Sequence, residues 1–324
     1  MNNKKILLFP GQGSQYAGMS RDLAEKFSAN SQIKAVYECG SDILGYDLKA
    51  LMYADDADSS AKLSDTLYAQ PTIFAASLVS LFALQEAGVV GEVNACAGHS
   101  LGEYAALVCC GVLDVESGFK AIKVRSQIMS KAGKANPSGM AAVIGVGADI
   151  VSSVCDKVNL QGLYVTLANH NSPQQCVIAG ELDALDKAEE ILKALPDVKR
   201  LKVVRLKVSA AFHCKLMKEA SQTFLEELTS LKLSFGDPKA DFYSNLTAGK
   251  IEHISAEYLS THMLSPVMFV PQLLKIHSKG YGVFIETGPG KVLSGLVSKT
   301  LEDVKVFNAE DSESLTKTTE GAKA

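Results

Sequence analysis

The chain has 324 residues, of which 47% are hydrophobic and 21% are charged, as in an ordinary water-soluble globular protein. A chain of this length can bury a sizeable core, so neither disulfides nor a structural metal is needed to hold the fold. The formal net charge is −4, which argues against a nucleic-acid binder because such proteins carry a basic stripe.

The N-terminus resembles a secretory signal only in outline. Lys4 and Lys5 precede the apolar run Ile6–Phe9, but Pro10 ends this run too early for a signal sequence. No run of the ~20 apolar residues that a membrane span requires is predicted. We therefore expect a cytoplasmic protein without a membrane segment.

The cysteines and histidines indicate neither a disulfide framework nor a metal site. The seven cysteines include no Cys-x-x-Cys pair and are odd in number, which favours reduced thiols. The six histidines lack the HExxH and HxH spacings of metal ligands. We expect no metal and no cofactor.

Strands and helices alternate in the first part of the chain, and the pattern changes after about residue 135. The elements predicted first are the strand Ile6–Phe9, the loop Pro10–Gln15, the helix Gln70–Glu86 with Pro71 in its first turn, the strand Val93–Ala97, the helix Leu101–Cys110, and a helix from Asp114 to about Lys131. Those predicted next are the strands Met140–Ile144, Val165–Asn169, Gln175–Ala179 and Lys199–Arg205 and the helices Ile150–Val158 and Leu182–Leu195.

This second group has the order β-α-β-β-α-β, which is typical of a ferredoxin-like unit. We expect an inserted small domain at residues 136–207, within a large α/β domain formed by residues 1–135 and 208–309. The large domain continues with the helix Leu216–Leu231, the strand Asp241–Ser244, the helix Pro271–His277 and the strand Gly282–Glu286. Residues 310–324 are polar and without apolar periodicity, so a disordered tail is expected.

Alternating strands and helices predict a mostly parallel sheet covered on both faces, with ligands beyond the carboxyl ends of its strands. At one such end lies Gly98-His99-Ser100-Leu101-Gly102, between a predicted strand and a predicted helix. This is the setting of a nucleophile elbow, in which Ser100 is exposed on a sharp turn and the Leu101 N–H can donate to an oxyanion. The alternative is an ordinary glycine-rich turn.

A serine nucleophile needs a base. His213 lies between a predicted strand and a predicted helix, where the site of an α/β protein forms, whereas His99 is adjacent to Ser100 and its side chain is expected to point away. The alternative for His213 is a buried structural histidine.

Two further residues stand out. The loop Gly11-Gln12-Gly13 fails as a dinucleotide fingerprint because Tyr16 replaces the third glycine, so it either brings Gln12 and backbone amides to the sheet edge or is a plain tight turn. Arg125 falls on an otherwise apolar helix face, where a guanidinium suits a carboxylate ligand. Alternatively, the aliphatic part of its side chain packs on the core while the guanidinium reaches water.

Together these residues resemble the malonyl-CoA:acyl-carrier-protein transacylase family of fatty-acid synthesis. The matching segments run in order along nearly the whole chain: Phe9–Gln15, Gln70-Pro71, Gly98–Tyr104, Arg125, Asn169–Pro173, Phe212–Cys214, Ser265–Val267 and Glu286–Leu293.

The resemblance implies an α/β-hydrolase-like large domain with a mostly parallel sheet and an inserted ferredoxin-like domain. It implies malonyl-CoA and holo acyl carrier protein as partners. We also expect no nucleic-acid or membrane partner, and a monomer. The implied site residues are the nucleophile Ser100, the base His213, the oxyanion hole of Gln12 and Leu101, the carboxylate clamp Arg125, and a histidine-orienting backbone carbonyl at His262, where relatives often carry glutamine.

Other functions remain open on sequence grounds. A discrete polyketide-pathway acyltransferase has the same chemistry, and a serine hydrolase has the same nucleophile but gives no reason for Arg125. A degenerate, non-enzymatic scaffold is a further alternative. The chain also has a basic run, formed by Lys199, Arg200, Lys202, Arg205 and Lys207. These residues either form a docking surface for an acidic carrier protein or protect a strand edge by their charge.

Overall fold

The computed structural model describes residues 4–91, 93–135, 137–196, 200–208 and 210–322. Its strands are β1 Lys4–Phe9, β2 Ala95–Gly98, β3 Ser138–Ile144, β4 Val165–Ser172, β5 Gln175–Glu181, β6 Lys202–Arg205, β7 Asp241–Tyr243, β8 Lys250–Ile251, β9 Tyr281–Glu286 and β10 Lys305–Asn308. Its helices are α1 Arg21–Lys26, α2 Ser31–Leu44, α3 Leu48–Tyr53, α4 Ala57–Ser64, α5 Thr66–Glu86, α6 Gly102–Cys109, α7 Val115–Ala135, α8 Ala148–Asn159, α9 Leu182–Lys193, α10 Lys218–Ser230, α11 Ala256–Leu264, α12 Phe269–Ser278, α13 Val292–Thr300 and α14 Ser312–Gly321.

The larger sheet has the strand order β10-β9-β1-β2-β7-β8, and only the pairing of β7 with β8 is antiparallel. Along β1, Leu7 and Phe9 belong to one hydrophobic core while Ile6 and Leu8 belong to another. Because successive side chains of a strand point to opposite faces, this sheet is covered on both sides. The register pairs Phe9 with Gly98, so the loops after β1 and β2 meet at the same sheet edge.

The smaller sheet has the order β4-β5-β3-β6 and is antiparallel throughout. Its core with α8 and α9 includes Val143, Val154 and Leu185. This is the ferredoxin-like arrangement, and the predicted α/β fold class is confirmed. All four strands fall within residues 136–207. That division of the chain stays a prediction, and its first residue, Asn136, lies outside the described residues.

The helix α5 differs from its prediction in two respects. It begins at Thr66, because the Asp65 side chain accepts from the Leu67 N–H, so Pro71 lies inside the helix rather than in its first turn. In length and composition α5 could cross a membrane, contrary to the prediction that no such segment exists. However, 89% of its apolar window is buried inside the protein, as in the core helix of a globular domain.

The prediction of a disordered tail is wrong for the described part of residues 310–324. Asp311 caps α14 through a capping box with Ser314, and Leu315 is buried in the main core. One buried leucine gives too weak a periodicity to read from sequence, whereas the cap and the packing suffice to order the helix. The strands β8 and β10 and the helices α1 to α4, α11 and α13 were also not predicted.

Candidate active site

The turn after β2 holds Ser100 in a left-handed backbone conformation, with a φ of 52°. This conformation is uncommon for a residue with a side chain and is typical of a nucleophile elbow. The flanking glycines are required by space: a Cβ on Gly98 would overlap the backbone of Glu103, and a Cβ on Gly102 would overlap the carbonyl of Phe9. The predicted strand-turn-helix setting of Ser100 is therefore present.

We expect Gly102→Ala to lower the free energy of unfolding by about 3 kcal/mol, because the added methyl group must displace the β1 backbone. Chemical denaturation measures the change. Gly295→Ala is the matched control, since a Cβ at this exposed position of α13 meets no atom within 4 Å. Equal stability of the two variants would contradict the steric argument.

His213 lies against the nucleophile, and its Nε2 is 2.7 Å from Ser100 Oγ. Its Nδ1 lies 3.0 Å from the carbonyl oxygen of Ser265 and 3.3 Å from that of His262. Carbonyls only accept, so Nδ1 carries the proton and Nε2 accepts from the serine hydroxyl. This tautomer can remove the Ser100 proton.

The surroundings of His213 keep its imidazole neutral. Burial, and then the positive charge of Arg125, lower its pKa from 6.5 to about 3. A neutral imidazole is the form that acts as a base. The group is therefore ready to accept a proton across the physiological pH range.

We expect kcat/KM for the reaction of Ser100 to stay flat from pH 8 to pH 5, with no fall near 6.5. A lowered pKa leaves the base unprotonated until the pH approaches that value. A bound anion would neutralise Arg125 and raise the pKa of His213, so the acid limb of kcat should lie at higher pH than that of kcat/KM. Rapid-quench measurement of Ser100 modification, from pH 8 down to the acid limbs, tests both; a half-loss of kcat/KM at pH 6.5 would contradict the first.

Arg125 is 2% exposed, and its guanidinium donates to Gln70 Oε1 at 2.5 Å and to Ser100 Oγ at 3.1 Å. The ion pairs found within the described ranges do not include Arg125. The Glu103 carboxyl interacts electrostatically with Arg125. Burial raises its pKa to about 8, however, so this carboxyl is largely neutral at pH 7. A buried cation without an anion is costly, and this one is therefore suited to an anionic ligand beside Ser100.

Gln12 and Leu101 both line the cavity that contains Ser100. The Gln12 side chain donates to Thr66 Oγ1 at 3.1 Å, which fixes the loop after β1. For the backbone N–H groups of Gln12 and Leu101, no acceptor is found among the residues that the structure describes. Both groups are thus free to donate to a ligand oxygen, and the oxyanion hole stays a prediction.

The cavity has a volume of about 490 Å³ and lies between the carboxyl edge of the larger sheet and the smaller sheet. The face of the smaller sheet that α8 and α9 leave uncovered supplies Met140, Ala142 and Val177 to its wall. A second cavity, of about 790 Å³, lies near Asn94 and Asp241 and contains none of the predicted site residues.

The site includes residues that the sequence did not single out. Ser265 provides the nearer of the two carbonyls on His213, Gln70 holds the Arg125 guanidinium, and Asn245 accepts from the Ser100 N–H. Ser265 and Gln70 fall in segments that match the resembled family, which was the available signal. Asn245 had none.

The basic run has two different surroundings. Arg205 pairs with Asp186 on α9 and so is not a free cation, whereas Lys207 lines the cavity. Lys199 lies outside the described residues. Docking of a carrier on this run stays a prediction.

In the described part of the chain, no group of three or more metal-ligating side chains occurs.

Comparison with known proteins assigns the class. Residues 6–321 match a family model described as an acyl transferase domain. Within that class, the chain belongs to the malonyl-CoA:acyl-carrier-protein transacylase family. It is 35% identical to the malonyl CoA-acyl carrier protein transacylase of Bacillus subtilis (strain 168), over 97% of this chain and 95% of the relative.

Solved structures agree with this assignment. The malonyl CoA-acyl carrier protein transacylase of Clostridium perfringens superposes with a TM-score of 0.89 at 34% identity, covering 99% of this chain and 97% of the other. A malonyl-transacylase solved in complex with its type II PKS acyl-carrier protein gives a TM-score of 0.87 at 34% identity, covering 98% and 99%. The predicted α/β-hydrolase-like domain with its ferredoxin-like insertion is confirmed.

Proposed function

We propose that the protein transfers a malonyl group from malonyl-CoA to the phosphopantetheine thiol of holo acyl carrier protein, for fatty-acid synthesis, through a malonyl ester of Ser100. The observation that carries this proposal is the buried, unpaired Arg125 that donates to Ser100 Oγ. A buried cation beside this hydroxyl supports the binding of an acyl group that carries a carboxylate.

In the first half-reaction, His213 Nε2 removes the hydroxyl proton as Ser100 Oγ attacks the thioester carbonyl. The backbone N–H groups of Gln12 and Leu101 stabilise the oxyanion, and one such donor typically lowers the barrier by about 3 kcal/mol. When the carbon–sulfur bond breaks, CoA leaves as its thiol with the proton that His213 held. The carbonyls of Ser265 and His262 keep the imidazole oriented throughout.

In the second half-reaction, the thiol of the carrier protein enters the cavity that CoA has left. His213 removes its proton, the sulfur attacks the malonyl-serine carbonyl, and the proton returns to Ser100 Oγ as the ester breaks. This is ping-pong acyl transfer. Both substrates bring their own reacting groups, so we propose that no cofactor is needed. We also propose that the protein works in the cytoplasm.

A discrete role in a polyketide pathway is the second candidate. The observation that favours it is the neighbour solved with a type II PKS acyl-carrier protein, which matches this chain over 98% of its length. The acylation chemistry is the same in both pathways, and parallel assays with the two kinds of carrier would separate them.

The proposed function is tested by intact-protein mass spectrometry after mixing with malonyl-CoA alone. We expect one malonyl adduct, located on Ser100 by peptide mapping and discharged when holo carrier protein is added. Steady release of CoA without an adduct would instead indicate a hydrolase. Absence of both would overturn the proposal.

A further inference from the structure

Asn245 lies directly beneath the nucleophile. It follows β7 at the carboxyl edge of the larger sheet, where the register pairs Tyr243 with Ala97 of β2. Its Oδ1 accepts from the Ser100 N–H at 2.7 Å, and its Nδ2 donates to the Gly98 carbonyl at 2.6 Å. One fully buried side chain therefore spans the turn and contacts the backbone on both sides of His99.

The orientation of this amide follows from its neighbours. Gln272 Nε2 donates to the Tyr243 carbonyl at 2.9 Å, so Gln272 Oε1 faces Asn245 and must accept. Asn245 Nδ2 is the donor to it at 3.1 Å, which leaves Oδ1 for the Ser100 N–H. The chain of partners fixes which end of the amide meets the nucleophile.

The backbone of Asn245 is also held at both of its polar groups. Its N–H donates to Glu103 Oε1 at 2.5 Å, and its carbonyl accepts from the Met268 N–H at 3.1 Å. Glu103 belongs to α6, the helix that begins just after Ser100. Asn245, which is hydrogen-bonded to both sides of the turn, is thus also hydrogen-bonded to the helix that follows the turn.

We propose that Asn245 is a positioning residue that holds Ser100 in its left-handed conformation and so aims Oγ at His213. The left-handed φ of 52° disfavours a serine, and a strained residue persists only when its surroundings determine it. The bond to Asn245 also occupies the Ser100 N–H, so the oxyanion donors must come from Gln12 and Leu101. The inference rests on the proposed role of Ser100.

Replacement of Asn245 by alanine tests the proposal. Misplacement of a reacting group by about 1 Å can cost ~100-fold in rate, so we expect acylation of Asn245→Ala at saturating malonyl-CoA to slow by about 100-fold. Its KM for malonyl-CoA should stay within about threefold of wild type, because the residue does not line the cavity. Labelling by a fluorophosphonate, which reports serine reactivity without any malonyl chemistry, should slow by a similar factor.

Two variants separate positioning from stability. Thr318→Val removes another buried hydrogen bond, to the Asn308 carbonyl at 2.7 Å, far from the turn, and should leave labelling unchanged. Asn245→Asp keeps an oxygen that faces the Ser100 N–H and, once protonated, a donor for the Gly98 carbonyl. It should therefore be labelled at least tenfold faster than Asn245→Ala.

Wild-type labelling of Asn245→Ala would overturn the proposal, as would equal losses in the alanine and aspartate variants. If wild type reacts with the fluorophosphonate but forms no malonyl adduct, then the proposed function fails while the ranking of these variants still decides the role of Asn245.

Discussion

Replacing Ser100 by alanine should abolish the covalent malonyl adduct and lower the rate of transfer to carrier protein by about 10⁶-fold. His213, Arg125 and the elbow N–H groups converge on this one hydroxyl, whose Oγ is 2.7 Å from the base and 3.1 Å from the guanidinium. Without it, no atom is positioned to accept the acyl group. Intact mass and a carrier-acylation assay measure the two losses.

A matched control for this variant is Ser278→Ala. Ser278 is an exposed serine at the end of α12, where its hydroxyl bonds only to the Lys275 carbonyl among its described neighbours. Its adduct and transfer rate should equal those of wild type. A malonyl adduct that persists in Ser100→Ala would show that another residue carries the acyl group, and the mechanism above would then be wrong.

Replacing Arg125 by alanine should remove the preference for malonyl-CoA over acetyl-CoA. A site built to bond a polar group rejects an analogue without that group by 10⁴- to 10⁵-fold, roughly, because its own buried group stays unpaired. Arg125 is such a group, since it is 2% exposed and its guanidinium donates to the neutral oxygens of Gln70 and Ser100. We expect the ratio of kcat/KM values to fall by about 10⁴-fold, with most of the change in the malonyl value.

The half-reaction with each acyl-CoA measures this ratio without a carrier protein. Arg125→Lys keeps the charge but not the planar pair of donors, so its ratio should lie between those of wild type and alanine. Arg205→Ala is the control, because this half-exposed arginine of β6 pairs with Asp186 and does not line the cavity. An unchanged ratio in Arg125→Ala would exclude the carboxylate clamp.

The parts of the site that sequence predicts well are those that local sterics dictate. Gly98 and Gly102 admit no side chain, and Ser100 between them has the left-handed backbone conformation of this tight strand-to-helix turn. Such a turn leaves a recognisable pattern in five consecutive letters. The predicted strand and helix on either side of it agree with β2 and α6 to within a few residues.

The parts that sequence does not predict depend on long-range packing. Asn245 lies 145 residues from Ser100, and Ser265 lies 52 residues from His213, and nothing in the immediate neighbours of either residue indicates these contacts. The start of α5 was misplaced because Pro71 is a strong local signal, whereas the real cap is Asp65. The tail was misjudged because α14 depends on a cap, one buried leucine and the bond of Thr318 to the Asn308 carbonyl, which leave no apolar periodicity in the sequence.

The order of these residues along the chain has a consequence for biosynthesis. Ser100 and Arg125 precede the smaller sheet, whereas His213 follows it. A chain still attached to the ribosome therefore exposes the serine long before the base has been made. Because an unassisted serine hydroxyl is a weak nucleophile, we expect an incomplete chain to stay unacylated until His213 has been made and has packed against Ser100.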